Sequence, residues 1–405
     1  MTDGLWSIYS EYTSVELSGD VNDAARMIFN LVNIDGSRSI GVDPPLVPEL
    51  KAELLRLDPG STWARWWSKH SGSDLRVVAG KKKPAVLPLI RRREQSPSGR
   101  VVGVNIGGHN LRTVFLEDGK MLDSRRLRIG SGQISRLANI TLRDLVSLLD
   151  ISAFGPEKVG IAWSAPRVNG SLRSSSIQLE NAGEVGRLLD LNEIDSALSQ
   201  ELRCRASSWN DGEAIAAAEI SNRSTDGKGQ VLSIKLGTSI AAGFSIGSDI
   251  VSAPLQLSKL LLRASPMVEF DHPIIGVRGT SRDVLGATSL AQAYQAITGA
   301  SGTSYKDYCE LTVAGDPVAT ELTRRAAAGI AEIAQVMTDA FGSFQLAVTG
   351  DNISDEVYSA VFERFLTAEL ANVRGVRLLS PGIDSSLGAA IGAAVLAQEF
   401  SISHY

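Results

Sequence analysis

Val101-Val102-Gly103-Val104-Asn105-Ile106-Gly107-Gly108-His109-Asn110-Leu111-Arg112 joins an apolar run to a glycine pair, and a second apolar segment, Thr113 to Leu116, follows before Glu117-Asp118-Gly119-Lys120. Short apolar runs that stop at glycine read as buried strands, and Asp-Gly between them is a hairpin turn. Paired glycines between strands let backbone N–H groups approach an anion, as a phosphate grip requires. The same pair also occurs in ordinary hairpins, so this turn alone fixes no chemistry.

Working outward, the strand-and-glycine motif repeats. Lys158 to Trp163 reads as a strand, and Val231 to Leu236 as another that stops at Gly237-Thr238. Gln345 to Thr349 is a third, followed by Gly350. Between them, Gly212 to Ile220 is an Ala-rich helix, Leu322 to Phe341 a long amphipathic one, and Ser386 to Glu399 a helix of small residues. Alternation of strand, glycine turn and helix predicts an α/β architecture. The related turns at 106–108 and 236–238 suggest two similar lobes.

The chain has 405 residues, too many for one ordinary core. Its composition, 43% hydrophobic and 21% charged with 38 Gly and 14 Pro, excludes collagenous, mucin-like and wholly disordered classes. The run Leu387 to Ala397 is too short to cross a bilayer, and Met1-Thr2-Asp3-Gly4 does not open a signal peptide, so a cytoplasmic protein without membrane contact is expected. Two cysteines, Cys204 and Cys309, fit a reducing compartment and cannot supply a cysteine-rich zinc site.

Charge divides the chain. Residues 1–59 hold 4 Lys/Arg against 10 Asp/Glu, and residues 60–100 hold 10 against 2, including Lys81-Lys82-Lys83 and Arg91-Arg92-Arg93. Such a basic stretch is either a solvated linker or a surface for phosphates or an acidic partner. Asn22 to Val32 and Val47 to Leu57 have helical apolar spacing. Trp63, Trp66 and Trp67 follow at helical spacing, as local core or as a stacking platform.

Ser207-Ser208-Trp209-Asn210-Asp211-Gly212-Glu213-Ala214 leads into the Ala-rich helix. Asp211 there is either an N-cap that accepts the helix's orphan N–H groups or a general base that takes a hydroxyl proton.

Taken in order, these motifs resemble the ROK family (repressors, open reading frames and kinases) of the sugar kinase, actin and heat-shock ATPase superfamily, over roughly residues 100–400. The resemblance implies a two-lobed actin-like, ribonuclease H-like ATPase fold with a ligand cleft between the lobes, preceded by a mostly helical extension. The expected division is 1–98 as extension, with a degenerate winged helix as one reading of it; 99–212 plus 385–405 as first lobe; and 213–384 as second. Carried over by motif, Asn105, Gly107, Gly108 and Arg112 match the first phosphate motif, Gly237 and Thr238 the second, and Gly350 the nucleotide-side glycine turn. Asp211 matches the catalytic base and Asn210 a sugar ligand. Val268-Glu269-Phe270-Asp271-His272 preserves the spacing of the family's Glu and His, which hold substrate hydroxyls; by themselves the pair read as exposed loop residues. The departures are as specific. Asn105 stands where the family has the Asp that helps organise magnesium, and His109 where it has Thr. The stretch after His272, Gly276 to Ala287, lacks the family's zinc-binding cysteines. Any ordering of the Glu269 and His272 loop must then come from packing and hydrogen bonds.

Three functions follow from the resemblance. The first is an ATP- and magnesium-dependent kinase, without zinc, acting on a monosaccharide or sugar-like cyclitol, as a homodimer. The second is a sugar-responsive regulator that binds DNA through its N-terminal region; against it, residues 22–76 show no convincing pair of short helices with a tight turn. The third, suggested by Asn105 and His109, is a sugar-binding relative without turnover.

Overall fold

The computed structural model describes residues 4–43, 47–58, 62–71, 75–79, 88–93, 97–107, 110–128, 140–141, 146–147, 149–165, 167–168, 171–174, 177–178, 189–222, 229–263, 266–270, 277–380, 382 and 386–402. In chain order its main elements are β1 (Gly4–Tyr9), β2 (Ser14–Gly19), α1 (Val21–Asp35), β3 (Ser39–Asp43), α2 (Val47–Leu57), α3 (Thr62–Ser71), β4 (Arg76–Ala79), β5 (Leu89–Arg92), β6 (Arg100–Ile106), β7 (Asn110–Glu117) and β8 (Lys120–Arg128). There follow β9 (Lys158–Trp163), α4 (Leu191–Leu202), β10 (Arg205–Asn210), α5 (Asp211–Asn222), β11 (Gln230–Leu236), β12 (Ile240–Ile246) and β13 (Asp249–Val251). The last third holds α6 (Ser281–Leu285), α7 (Ala287–Thr298), α8 (Tyr305–Val313), α9 (Pro317–Phe341), β14 (Phe344–Thr349), α10 (Glu356–Leu370), β15 (Val376–Leu379), α11 (Gly388–Glu399) and β16 (Phe400–Ile402). The α/β alternation expected from the glycine turns is present, and the Asp118-Gly119 hairpin sits with both residues at positive φ.

Two compact units are formed: residues 1–87, 234–241 and 253–380 make one, and residues 88–233, 242–252 and 381–405 the other. This differs from the expected division. The N-terminal residues are not a unit of their own, and 213–233 falls with the first lobe.

In the second unit, β10-β9-β6-β7-β8 form one sheet. β6, β9 and β10 run parallel, while β7 and β8 return antiparallel. The continuous apolar run of β6 is explained by burial on both faces. Val102, Val104 and Ile106 pack with Ile194 and Leu198 of α4. Val101 faces the other way, towards Ala390 and Ala394 of α11. Small residues bring α11 close: a Cβ on Gly160 would lie 1.9 Å from the carbonyl oxygen of Ala393, so this strand position must be glycine.

In the first unit the N-terminal residues build the sheet β2-β1-β3-β4 beside their helices. These strands were missed in sequence, although Trp6 and Ile8 of β1, both buried, alternate with half-buried Ser7 and Tyr9. α2 and α3 are two short helices with residues 58–61 between them; α2 has the range expected from its apolar spacing, and α3 carries the tryptophans read at helical spacing. Asp58 caps α3, accepting from the N–H groups of Trp63 (3.2 Å) and Ala64 (2.9 Å). Trp63 and Trp67 are core, the local-core reading of their spacing, with the Trp63 ring centre 4.4 Å from that of Phe29 and the rings tilted by 37°; the Trp66 side chain lies outside the described residues.

The N-terminal residues are tied into the rest of their unit. The Asn30 amide, buried, donates to the Leu261 carbonyl (3.1 Å) and accepts from its N–H (2.8 Å). Leu255 N–H donates to Ile34 O (3.1 Å) and Gln256 N–H to Asn33 O (2.8 Å). Asp23 pairs with Arg263 at 2.9 Å. At the end of α1, Asp35 accepts from Ser10 Oγ and from Ser37 N–H, and burial pushes its carboxyl up to about 6.

Candidate functional site

Register places the first group of expected site residues along one sheet edge. Ile106 of β6 and Asn210 of β10 both pair with Trp163 of β9, so Gly107 and Asp211 each leave the C-terminal end of a parallel strand. Such ends are where open α/β sheets bind ligands. With one strand between them, β6 and β10 lie roughly 10 Å apart. Asn105 and Arg112 are direct cross-strand partners, both buried. A Cβ built on Gly107 would lie 3.8 Å from Arg112 Nη1 and 3.9 Å from Asn105 Oδ1, so a guanidinium stands beside the turn. Gly108 and His109 lie outside the described residues.

The start of α5 bears on the cap reading of Asp211. The cap is Asn210: its Oδ1 accepts from the N–H groups of Gly212 (2.8 Å) and Glu213 (3.3 Å). Glu213 reciprocates by accepting the Asn210 N–H at 2.9 Å, completing a capping box. Asp211 is the first residue of the helix, half-buried, its Oδ1 accepting from Gly212 N–H at 3.0 Å. Asn210 Nδ2 donates to Ala165 O at 2.6 Å, so the residue expected to bind sugar is largely occupied in holding the helix.

Two residues that the sequence reading did not single out complete this corner. Arg167 donates to Glu213 through Nε (2.6 Å) and Nη2 (3.1 Å), both side chains being almost wholly buried. The guanidinium also lies 5.9 Å from the centre of the Trp209 ring. The Asn-x-x-Glu capping pattern was readable in sequence; Arg167, far away in sequence, gave no sign. Gly212 fixes the helix from the other side, since a Cβ there would meet the Ala242 carbonyl oxygen at 1.8 Å.

The first unit carries the second group. Gly350, at φ +133°, crosses β11 so closely that a Cβ would fall 1.9 Å from Leu236 O. Asn352 Nδ2 then reaches Gly237 O at 2.9 Å, and Ala287 N–H donates to the same oxygen at 3.0 Å. The Gly237-Thr238 turn and the Gly350 turn are therefore brought together, with Thr238 exposed. Glu269 is exposed and lies beside Gly279; His272 lies outside the described residues.

Among the described residues no three His, Cys, Asp or Glu side chains cluster to hold a metal ion. Asn105 brings a neutral amide and Arg112 a positive charge to the first turn. This donor set does not suit a bare divalent cation, but it fits magnesium that arrives on nucleotide phosphates with its own waters. Of the basic segment, Arg91 pairs with Asp249 and Arg92 with Glu399, each at 2.6 Å, so two of the three arginines serve the fold. Lys81, Lys82 and Lys83 lie outside the described residues. Among the described residues no helix is long and apolar enough to cross a membrane.

No protein-family model and no curated protein matches the sequence. Solved structures do match. A ROK family glucokinase from Streptomyces griseus, in complex with glucose and AMPPNP, is 18% identical, with a TM-score of 0.54 over 74% of this chain and 99% of that one. A ROK hexokinase from Thermus thermophilus is also 18% identical, with a TM-score of 0.54 over 74% and 97%. A ROK family transcriptional regulator, a homolog of the E. coli MLC protein, is 12% identical, with a TM-score of 0.53 over 93% and 97%. The chain thus has the fold of these proteins, the two-lobed α/β fold expected from its glycine turns.

Proposed function

We propose that the chain is a member of the ROK family and a kinase that transfers the γ-phosphoryl group of ATP to a hydroxyl of a monosaccharide or sugar-like cyclitol. The observation that carries this reading is the division of labour at the start of α5: Asn210 caps the helix, and Asp211 is presented at the C-terminal edge of the parallel strands that also bear the Gly107 turn. Asp211 accepts the proton of the attacking hydroxyl. Gly107, Gly108 and Arg112 in one unit, and Gly237, Thr238 and Gly350 in the other, are each phosphate-binding groups, acting through backbone N–H groups and, in the first, one guanidinium. Magnesium, when bound with the nucleotide, neutralises charge on the transferring phosphoryl group. Glu269 and His272 orient the sugar by accepting from its hydroxyls.

The test is a coupled ADP-release assay with Mg-ATP over D-glucose, D-mannose, N-acetyl-D-glucosamine, N-acetyl-D-mannosamine and myo-inositol. Release on at least one acceptor that Asp211→Asn abolishes is expected. Release that survives the substitution removes Asp211 from the base role.

A second reading, a sugar-responsive regulator, is favoured by one observation. The helix pair α2 and α3 lies in the stretch where a regulator carries its DNA-binding head, and the regulator structure matches a larger share of this chain than the two kinases do. Buried Trp63 and Trp67 and the acid-rich first 59 residues weigh against it. A gel shift on DNA flanking the coding sequence, relieved by a sugar from the same panel without turnover, decides for the regulator.

A further inference from the structure

Glu269 is given a sugar-binding role, yet the stretch Gly276 to Ala287 after its loop holds no cysteine to fix it through a metal. Glu269 is exposed, and its Oε1 lies 3.5 Å from where a Cβ on Gly279 would stand. Gly279 in turn has φ +70°, and its N–H donates to Asp283 Oδ2 at 3.1 Å. The backbone N–H groups of Phe270, next to Glu269, and of Thr280 face the same carboxyl group. Asp283 is 2% exposed, and its Oδ1 is buried without a hydrogen-bond partner among the described residues. One carboxylate thus meets backbone on both sides of Glu269's surroundings, at Phe270 and at Gly279.

The base of this arrangement is fixed. Thr280 bridges to Leu261, and Ser281 N–H donates to Leu260 O at 2.8 Å. Leu261 is the residue that Asn30 holds by its N–H and its carbonyl. Asp283 therefore stands on a braced segment and reaches to the backbone beside Glu269. Burial pushes its carboxyl up to about 6, against the pull of Arg282 and the surrounding N–H groups. A carboxylate kept in so dry a place is costly, and an apolar side chain would fill it more cheaply.

We propose that Asp283 is a positioning residue: it pins the backbone at Phe270 and Gly279 and so sets Glu269 for the substrate's hydroxyls. The proposal rests on the sugar-kinase reading only for what Glu269 binds; the pin itself does not depend on it. Asp283→Leu removes both acceptors. Asp283→Asn keeps the shape and one acceptor oxygen for the Gly279 N–H while giving up the charge, so it guards against a variant that fails to fold.

The experiment is residue-resolved amide hydrogen exchange on the full chain, with steady-state kinetics on whichever acceptor of the panel is turned over fastest. Expected for Asp283→Leu are at least tenfold faster exchange at Phe270 and Gly279, unchanged exchange in α9, and a KM for that acceptor raised at least tenfold with kcat within threefold; Asp283→Asn should show the same changes, smaller in size. Unchanged exchange at Phe270 and Gly279 overturns the pin. Faster exchange there with an unchanged KM overturns the positioning of Glu269. If the native chain turns over no acceptor, the kinase reading fails by itself, and exchange alone decides for or against the pin.

Discussion

Arg167 and Glu213 share two hydrogen bonds, 2.6 and 3.1 Å long, in a place that water scarcely reaches. The same glutamate receives the N–H of Asn210, so the ion pair holds the residue immediately before Asp211. Removing one partner strands a charge. Glu213→Ala is expected to cost about 3–5 kcal/mol, read as a shifted urea midpoint. Replacing both partners with Met and Leu is expected to recover most of that loss. A single variant within 1 kcal/mol of the native chain, roughly the value of an exposed pair, would contradict the burial argument.

Asp211 and Asn210 make separable predictions. Asp211→Asn should leave the melting temperature almost unchanged, because the cap is its neighbour. Turnover should fall by about 10²–10⁴, the usual worth of a positioned base, with acceptor affinity kept within a few-fold. Asn210→Ala should do the reverse at first, losing about 1 kcal/mol of stability through the cap. Equal stability losses in the two variants would mean that Asp211 shares the capping.

Much of each unit's glycine-turn group was legible from residues alone. The β6 run, the Gly107 and Gly237 turns and the helix after Asp211 fell where local pattern put them, because strands buried on both faces and glycine stops leave strong signatures. That the cap is Asn210 was not legible, since both residue types cap helices and only the hydrogen bonds tell them apart. Arg167 and Asp283 were invisible for a different reason: each acts on a segment distant in sequence, and no periodicity announces a buried charge. The strands of the N-terminal sheet were passed over because the helical spacing of Asn22 to Val32 and Val47 to Leu57 drew the whole segment towards helix.

The two glycine turns of the first unit should differ in kind. Gly350→Ala puts a methyl group into the Leu236 carbonyl at positive φ, and a loss of at least about 2 kcal/mol is expected in thermal or urea unfolding. Gly237→Ala meets only Ser239 O at 3.6 Å and should fold normally. Its effect should be on nucleotide, with AMPPNP affinity measured by calorimetry falling about tenfold. A Gly237→Ala chain that binds AMPPNP as well as the native one would take this turn out of the phosphate grip.

The N-terminal residues should prove inseparable from their unit. Asn30→Leu leaves the N–H and carbonyl of Leu261 buried without their partner, at a cost of about 1–3 kcal/mol for each unsatisfied group. Deletion of residues 1–87 should give insoluble chain. A soluble, cooperatively melting remainder would show that this packing is dispensable.

Asp35 gives a pH signature. Its carboxyl is raised to about 6 in the fold against an ordinary value near 3.8. The protonated form is the one the fold prefers, so this contribution is complete below pH ~4 and is lost as pH rises through 6, about 3 kcal/mol in all. Asp35→Asn can keep both the Ser10 and Ser37 contacts and should remove that loss. The difference in unfolding free energy between variant and native chain should therefore grow in the variant's favour from pH 4 to pH 7. A difference that stays flat would mean that Asp35 is not held dry.

The glycine and alanine contact between β9 and α11 bears on how mutational data for this chain will read. A saturation scan scored by activity would rank Gly160, and Gly212 with it, among the least tolerant positions, beside Asp211. Neither glycine brings a side chain to any ligand; each is intolerant because a carbonyl oxygen occupies the volume that its first carbon would need. Intolerance to alanine at these two positions therefore marks backbone contact, and only a scan scored separately for folded yield and for turnover would tell the hinge points of the packing from the groups that carry the chemistry.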